Sequence, residues 1–188
     1  MPRYRIALSY DGTGYAGWQV QPNGVTVQEK LEAALRQLTG ETTKVHGSGR
    51  TDTGVHARRQ VIHFDLAKPF PARSFARALN GVLPGDIRIL TARRAKTDFH
   101  ARRSAVEKEY RYFIWNDDIM PPFFRHHKTH VRHPLDVDRM REAAAMLVGQ
   151  HDFAAFSANP RREIETTVRE IYELTVTRRG REIVIRAR

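Results

Sequence analysis

Cysteine is absent from this chain of 188 residues. That removes a disulfide framework, a thiolate zinc centre and a cysteine nucleophile together. Lysine is almost as scarce, with 6 Lys among the 32 basic residues against 26 Arg. No uninterrupted apolar run exceeds Ala143–Val148, far short of the ~20 residues that a membrane-spanning helix needs. The opening Met1-Pro2-Arg3-Tyr4-Arg5 enters an alternating pattern at once and has none of the apolar stretch of a signal peptide. These absences point to a soluble, cytoplasmic, basic globular protein that does not engage a membrane.

The basic character is spread through the body of the chain. The formal net charge is +11, with 14 basic and 7 acidic residues in positions 1–94 and 18 and 14 in positions 95–188. Arg presents a planar fork that grips phosphate bidentately and stacks on bases, whereas Lys is a hydrated point charge. An Arg-dominated surface on a folded body suggests a polyanionic partner, nucleic acid first. At 40% apolar residues the chain is too rich in core formers to be a disordered tail.

The pattern of side chains predicts two units. Tyr4, Ile6, Leu8 and Tyr10 alternate with polar or small residues as a half-buried strand. A glycine-rich loop, Asp11 to Gly24, follows. Thr26-Val27-Gln28-Glu29 reads as a capping box opening a helix whose apolar face is Val27, Leu31, Leu35 and Leu38, with Gly40 just past its end. A short strand over Thr42–His46, a loop over Gly47–His56 and a strand over Gln60–Leu66 come next. Phe75, Leu79 and Val82 mark a second helix stopped by Pro84-Gly85, and Ile87–Ala92 is a fourth strand. The order β-α-β-β-α-β is that of a ferredoxin-like unit.

The same grammar restarts after Arg103. Glu107–Trp115 is a strand with Tyr110, Tyr112 and Ile114 on one face, and an irregular connection runs from Pro121-Pro122 through His133. Leu135 and Met140 staple a helix capped by Asp136 and running up to Gly149. Val168–Arg178 and Glu182–Arg186 form a hairpin turning at Arg179-Gly180. The expected fold is therefore α+β, with an N-terminal ferredoxin-like half at 1–104 and a C-terminal one at 105–188. The second half reads β-α-β-β and lacks its closing helix and strand, so it is expected to be incomplete.

Several familiar motifs fail on inspection. Gly12, Gly14 and Gly17 have the G-x-G-x-x-G spacing after a strand, but the helix starts only near Thr26, so no helix N-terminus follows to hold a pyrophosphate. These glycines are expected to let a mobile loop approach a ligand or partner. Gly49 and Gly54 have P-loop spacing but precede Val55-His56 instead of Lys-Ser. His126, His127, His130 and His133 cluster in a proline-broken connector with no acidic residue among them, which suits exposed histidines better than a metal site. The stretch Gly49-Arg50-Thr51-Asp52-Thr53-Gly54-Val55-His56-Ala57 stands apart, placing one carboxylate between Arg50 and His56 on a glycine-bracketed loop. A carboxylate beside an arginine stays ionised and can serve as nucleophile or base. The bland alternative is an Asx-turn in which Asp52 bonds the amides of its own loop.

This stretch resembles the active-site motif of the tRNA pseudouridine synthase A family. Other segments match in order: Tyr10-Asp11-Gly12 with Gly17-Trp18-Gln19, Val27 to Glu32, Leu79-Asn80 with Leu83-Pro84, Asp98 to Arg102, and Tyr110-Arg111-Tyr112. The resemblance covers essentially the whole chain. Thr53, where alanine is usual, and Arg103, where an aromatic is common, depart from it.

The resemblance implies two ferredoxin-like halves merging into one mostly antiparallel sheet, and a homodimer. It implies isomerisation of uridine to pseudouridine at positions 38, 39 and 40 of the tRNA anticodon stem-loop, with base flipping. Asp52 is then the catalytic nucleophile, and Tyr110 binds the substrate base, Tyr112 being better suited to the core. Arg50, Phe99, His100, Ala101, Arg102, Arg103, Arg161 and Arg162 contact RNA. The isomerisation moves no electrons, so no cofactor and no metal is expected. The resemblance also implies that a C-terminal segment supplies a basic partner for Asp52. A non-catalytic RNA-binding module is the alternative reading. A glycosidase is disfavoured because the nearest acidic residues in sequence, Asp65 and Glu41, are not close partners of Asp52.

Overall fold

The alternation at Tyr4, Ile6, Leu8 and Tyr10 becomes β1, Arg3–Tyr10, the strand on which the N-terminal sheet is built. In the computed structural model, which describes residues 1–156 and 166–188, the chain divides into two units, Met1–Val106 and Glu107–Arg188. In the first, β1 is followed by α1 (Val27–Thr39), β2 (His46–Gly47), β3 (Ala57–Asp65), α2 (Ala72–Val82) and β4 (Ile87–Ala95). The strand order is β2-β3-β1-β4 and every neighbouring pair is antiparallel. Tyr4, Ile6 and Leu8 are wholly buried and form one core with Ile62 and Phe64 of β3, Leu31 and Leu35 of α1, and Phe75 and Leu79 of α2.

Local chemistry sets the element ends. Thr26 Oγ1 accepts from the Glu29 N–H at 3.3 Å, while Glu29 Oε2 accepts from the Thr26 N–H at 3.4 Å, closing the capping box. The strand expected over Thr42–His46 shrinks to His46–Gly47 because side chains take up its backbone bonding capacity. The Val45 N–H donates to Glu32 Oε1 at 3.0 Å, the Val45 carbonyl accepts from Gln28 Nε2 at 3.2 Å, and the Thr43 hydroxyl donates to the Asp65 carbonyl of β3 at 2.7 Å.

Beyond β4 the chain folds back over the sheet face opposite the helices. Arg3 holds it there, forking onto both carboxylate oxygens of Asp65 at 2.8 and 2.7 Å and donating to the carbonyls of Thr97 and Phe99 at 2.6 and 2.8 Å. His63, only 3% exposed, accepts the Ala101 N–H at Nδ1, 3.2 Å away. The His46 ring stacks on His63 at 4.8 Å, and the His100 ring lies 4.6 Å from His63. Burial above all, then the neighbouring His46, His100 and Arg3, lower the His63 pKa to about 4.

The second unit contains β5 (Tyr110–Asn116), β6 (Thr129–Val131), α3 (Val137–Met146), β7 (Gly149–Asp152), β8 (Val168–Ile171), β9 (Leu174–Arg179) and β10 (Glu182–Ala187). Its main sheet runs β6-β5-β10-β9, with β5 and β6 parallel and the other pairs antiparallel. Ile114, Val137, Ala144, Val176 and Ile183 form its core. Buried Asn116 pins the irregular connector, donating to the carbonyls of Val131 and His133 at 2.9 and 2.7 Å and accepting the Leu135 N–H at 3.2 Å. Asp136 caps α3 as its sequence signature requires, accepting the N–H groups of Asp138 and Arg139 at 3.1 Å each.

Three expectations need correction here. The strand over Val168–Arg178 is two strands: β8 pairs with β7, β9 pairs with β10, and between them the N–H groups of Tyr172 and Glu173 donate to the Arg188 carbonyl at 2.7 and 3.1 Å. α3 stops at Met146, with the Leu147 N–H tightening onto the Ala144 carbonyl, ahead of Gly149 and its φ of +105°. Tyr112 is no core residue; it is 53% exposed, its hydroxyl 2.6 Å from Thr129 Oγ1. Among the described residues no helix is long and apolar enough to cross a membrane.

The docking of Phe99–Ser104 onto neutral His63 makes stability pH-dependent. An imidazole that protonates near 6.5 in the unfolded chain and near 4 in the folded one gives stability that is complete above pH ~6.5. That stability is lost as pH falls toward 4, because the unfolded state takes up the proton first. Urea midpoints measured from pH 7 down to 4.5 should fall in the parent. In His63→Asn, whose amide oxygen can still accept the Ala101 N–H, they should fall less steeply. Equal slopes would contradict the assignment.

Candidate active site

The loop between β2 and β3 carries Arg50 and Asp52, and the residues around it leave it little freedom. At its start the Ser48 N–H donates to the Val61 carbonyl at 2.8 Å, and Gln60 Nε2 donates to the Gly49 carbonyl at 2.7 Å. At its centre the Tyr10 hydroxyl lies 2.8 Å from Thr51 Oγ1, and the Trp18 N–H donates to the Thr51 carbonyl at 3.0 Å. At its end the Gly12 N–H donates to His56 Nδ1 at 3.1 Å, and the Val55 N–H closes a turn onto the Asp52 carbonyl at 3.1 Å.

The glycine-rich loop that contributes Gly12 and Trp18 lies directly against this segment. A Cβ on Gly12 would sit 2.1 Å from the Val55 carbonyl oxygen. One on Gly17, whose φ is +89°, would sit 2.7 Å from the Thr51 carbonyl oxygen. No side chain fits at either place. The sequence reading gave these glycines to a ligand or partner; the backbone they approach is that of the Asp52 loop itself. Their spacing was visible in the sequence, but its object was not, because the contact joins residues about 40 positions apart.

Asp52 is exposed, and among the described residues its carboxylate accepts no hydrogen bond and forms no ion pair. The Asx-turn alternative is not realised at Asp52. It is realised at Asp11, whose Oδ1 accepts from the N–H and hydroxyl of Thr13 at 3.0 and 2.6 Å. Arg50 is also exposed and is not paired with Asp52, so the arginine expected to hold the carboxylate ionised does not do so through contact. The tyrosines beneath the loop are structural: burial raises the pKa of Tyr10, and burial together with Asp86, 2.7 Å from the Tyr15 hydroxyl, raises that of Tyr15 further. Both remain phenols at neutral pH. What the loop presents to solvent is a single open carboxylate on a rigid support.

The other expected site residues fall in different settings. Phe99 packs beneath Arg5, whose guanidinium carbon is 5.4 Å from the ring centroid. His100 Nδ1 accepts the N–H groups of Arg102 and Arg103 at 3.2 and 3.3 Å. Ala101 is only 2% exposed and anchors the segment, leaving the side chains of Arg102 and Arg103 in solvent. Tyr110, in the second unit, is 60% exposed at the start of β5 opposite Ala187 of β10. Arg161 and Arg162 lie outside the described residues. Of the clustered histidines, His130 bonds the Asp117 carbonyl at 2.8 Å through Nε2. Tyr10, Gly12 and Gly17 are the functional supports that sequence reasoning did not assign to the loop.

Comparison with known proteins adds a second line. A family model described as tRNA pseudouridine synthase matches residues 6–102 and 143–188. The chain is 48% identical over 188 residues to tRNA pseudouridine synthase A of Brevibacillus brevis, covering all of this chain and 77% of that protein. It is 44% identical over 185 residues to the protein of that name from Geotalea uraniireducens, covering 98% and 75% of the two chains. It is 47% identical over 180 residues to that of a Geobacter species, covering 96% and 72%. The residues matched run through both the glycine-rich loop and the Asp52 loop that it supports, and this chain belongs to the tRNA pseudouridine synthase family.

Proposed function

We propose that this chain isomerises uridine to pseudouridine in tRNA, at positions 38, 39 and 40 of the anticodon stem-loop, with Asp52 as the essential carboxylate. The observation that carries the reading is the Asp52 carboxylate itself, exposed and unbonded on a loop braced by Tyr10, Trp18 and Gly12 in a member of this family. A carboxylate used structurally would be spent on backbone amides, as Asp11 is.

The reaction breaks the C1′–N1 bond, rotates the uracil in place and joins C5 to C1′. The proton on C5 leaves and N1 gains one, so atoms and electrons balance without a redox partner. Attack on the sugar, addition to the base and removal of a sugar proton all demand an unencumbered carboxylate, and that is what Asp52 offers. A paired base must leave its stack to be reached, at a cost of a few kcal/mol. Arg50 assists that step by filling space beside the backbone, and the exposed ring of Tyr110 offers the flipped uracil a stacking face. Phe99, His100, Arg102 and Arg103 contact the RNA, with Ala101 as their anchor. The two units are read as ferredoxin-like halves at 1–104 and 105–188, and the protein as a homodimer. The strand order β2-β3-β1-β4 supports the ferredoxin-like reading of the first half.

Asp52→Asn should abolish pseudouridine formation, mapped by carbodiimide labelling of tRNA, while tRNA affinity stays within about threefold because phosphate contacts supply most of it. Turnover within tenfold of the parent would end the assignment of Asp52, and a parent that binds tRNA without forming pseudouridine would leave a non-catalytic RNA-binding module. Tyr110→Phe should keep affinity, whereas Tyr110→Leu should lose the ~1–3 kcal/mol of a base–aromatic stack. Parent-like behaviour from both would remove Tyr110 from the site. Tyr10→Phe deletes the bond to Thr51, so unfolding should become easier by about 1 kcal/mol. Its kcat should fall while KM holds; an unchanged kcat would show that the bond does not position the loop.

A further inference from the structure

We propose that the open pocket on the helix-free face of the N-terminal sheet is a phosphodiester-binding site that holds the backbone of the RNA substrate at a distance from Asp52. The proposal rests on the reading that the substrate is an RNA. The pocket has a volume of about 330 Å³ and is lined by Arg5, Arg93, Arg94 and Lys96, with Phe99 beside them and Asp98 the one acidic residue among the described residues that line it.

Its charges are uncompensated in a way the neighbouring residues are not. Arg3, two positions from Arg5 on the same strand face, is fully used on Asp65 and on the carbonyls of Thr97 and Phe99. Arg5 stands directly opposite Arg93 on one side and His63 on the other. Like charges opposed across a ladder are destabilising. Among the described residues none of Arg5, Arg93, Arg94 and Lys96 forms an ion pair. The Phe99 ring lies under the Arg5 guanidinium, and Arg5 is exposed. A pocket whose lining gathers Arg5, Arg93, Arg94 and Lys96 about one carboxylate, and pairs none of them with it, is built for an anion from outside.

The arrangement also selects the kind of anion. The guanidinium forks of Arg5 and Arg93, opposed across the β1–β4 ladder, suit phosphate oxygens taken two at a time. The pocket is open rather than enclosed, and its cations run along β4 and into the turn that follows, which fits a strand of phosphodiesters better than one free phosphate. Arg5 lies five residues before Tyr10 on β1, or about 17 Å along the strand from the end that supports the Asp52 loop. The site therefore orients and retains substrate without touching the reacting uridine.

The test uses the whole chain carrying Arg93→Gln with Lys96→Gln, and a control carrying Arg73→Gln with Arg77→Gln, two exposed arginines on α2. Binding of a tRNA transcript is followed by fluorescence anisotropy over a series of salt concentrations, with circular dichroism confirming that both variants fold as the parent does. The pocket variant should bind about tenfold more weakly near 0.1 M salt, and its plot of log K against log salt should be shallower by about one to two. The control should stay within twofold, with an unchanged slope. Parent-like affinity and slope in the pocket variant, or equal weakening in the control, would overturn the proposal. So would a parent chain with no affinity for tRNA. A parent that binds through the pocket but makes no pseudouridine would instead overturn the function proposed above and leave the pocket standing.

Discussion

The N-terminal unit depends on a contact between two backbones. The glycine-rich loop can lie against the Asp52 loop only because Gly12 and Gly17 have no side chains, with the Val55 and Thr51 carbonyl oxygens where Cβ atoms would be. Close packing there allows the Trp18 N–H to reach Thr51 and the Gly12 N–H to reach His56. The loop's own amides are taken as well, the Gly54 N–H by the Tyr15 carbonyl of the glycine-rich loop at 3.4 Å and the Val55 N–H by the Asp52 carbonyl at 3.1 Å, and the Asp52 carboxylate faces solvent. A loop of this composition left to itself would satisfy its amides with its own aspartate. The external support makes that unnecessary.

The same sheet divides its labour by face. Side chains at Tyr4, Ile6 and Leu8 pack beneath the helices, and the alternate positions Arg3 and Arg5 carry charge on the other side. Arg3 is spent on structure, fixing the segment that includes Phe99. Arg5 is left available, with Arg93 and Lys96 gathered around it. Buried His63 joins the two sets, because its neutral Nδ1 holds the backbone of the segment that carries Arg102 and Arg103. Charge for a polyanion and the scaffold that aims it are thus parts of one packing problem.

Much of this was legible from local signals. The capping box at Thr26, the Asp136 cap and the alternation in β1 each depend on a few adjacent residues, and each stands where its pattern requires. The Asp52 loop was legible only as a choice between an Asx-turn and an open carboxylate, and among the described residues the carboxylate is open. What could not be read were contacts between distant segments. The partner of Gly12 and Gly17, the side-chain bonds that shorten β2, and the division of Val168–Arg179 between two ladders are all decided by residues far away in sequence. Tyr112 misled for the same reason: alternation gives a residue's face, but the coverage of that face is tertiary.

In the proposed function, close backbone contact at Gly12 places the Asp52 carboxylate for chemistry. This placement is tested most directly by Gly12→Ala, which puts a methyl group where the Val55 carbonyl now lies. Misplacement of a reacting group by ~1 Å can cost about a hundredfold in rate. The variant should fold, bind tRNA within about threefold of the parent, since the phosphate contacts are untouched, and make pseudouridine at least about a hundredfold more slowly. A folded Gly12→Ala chain turning over tRNA at the parent rate would contradict it.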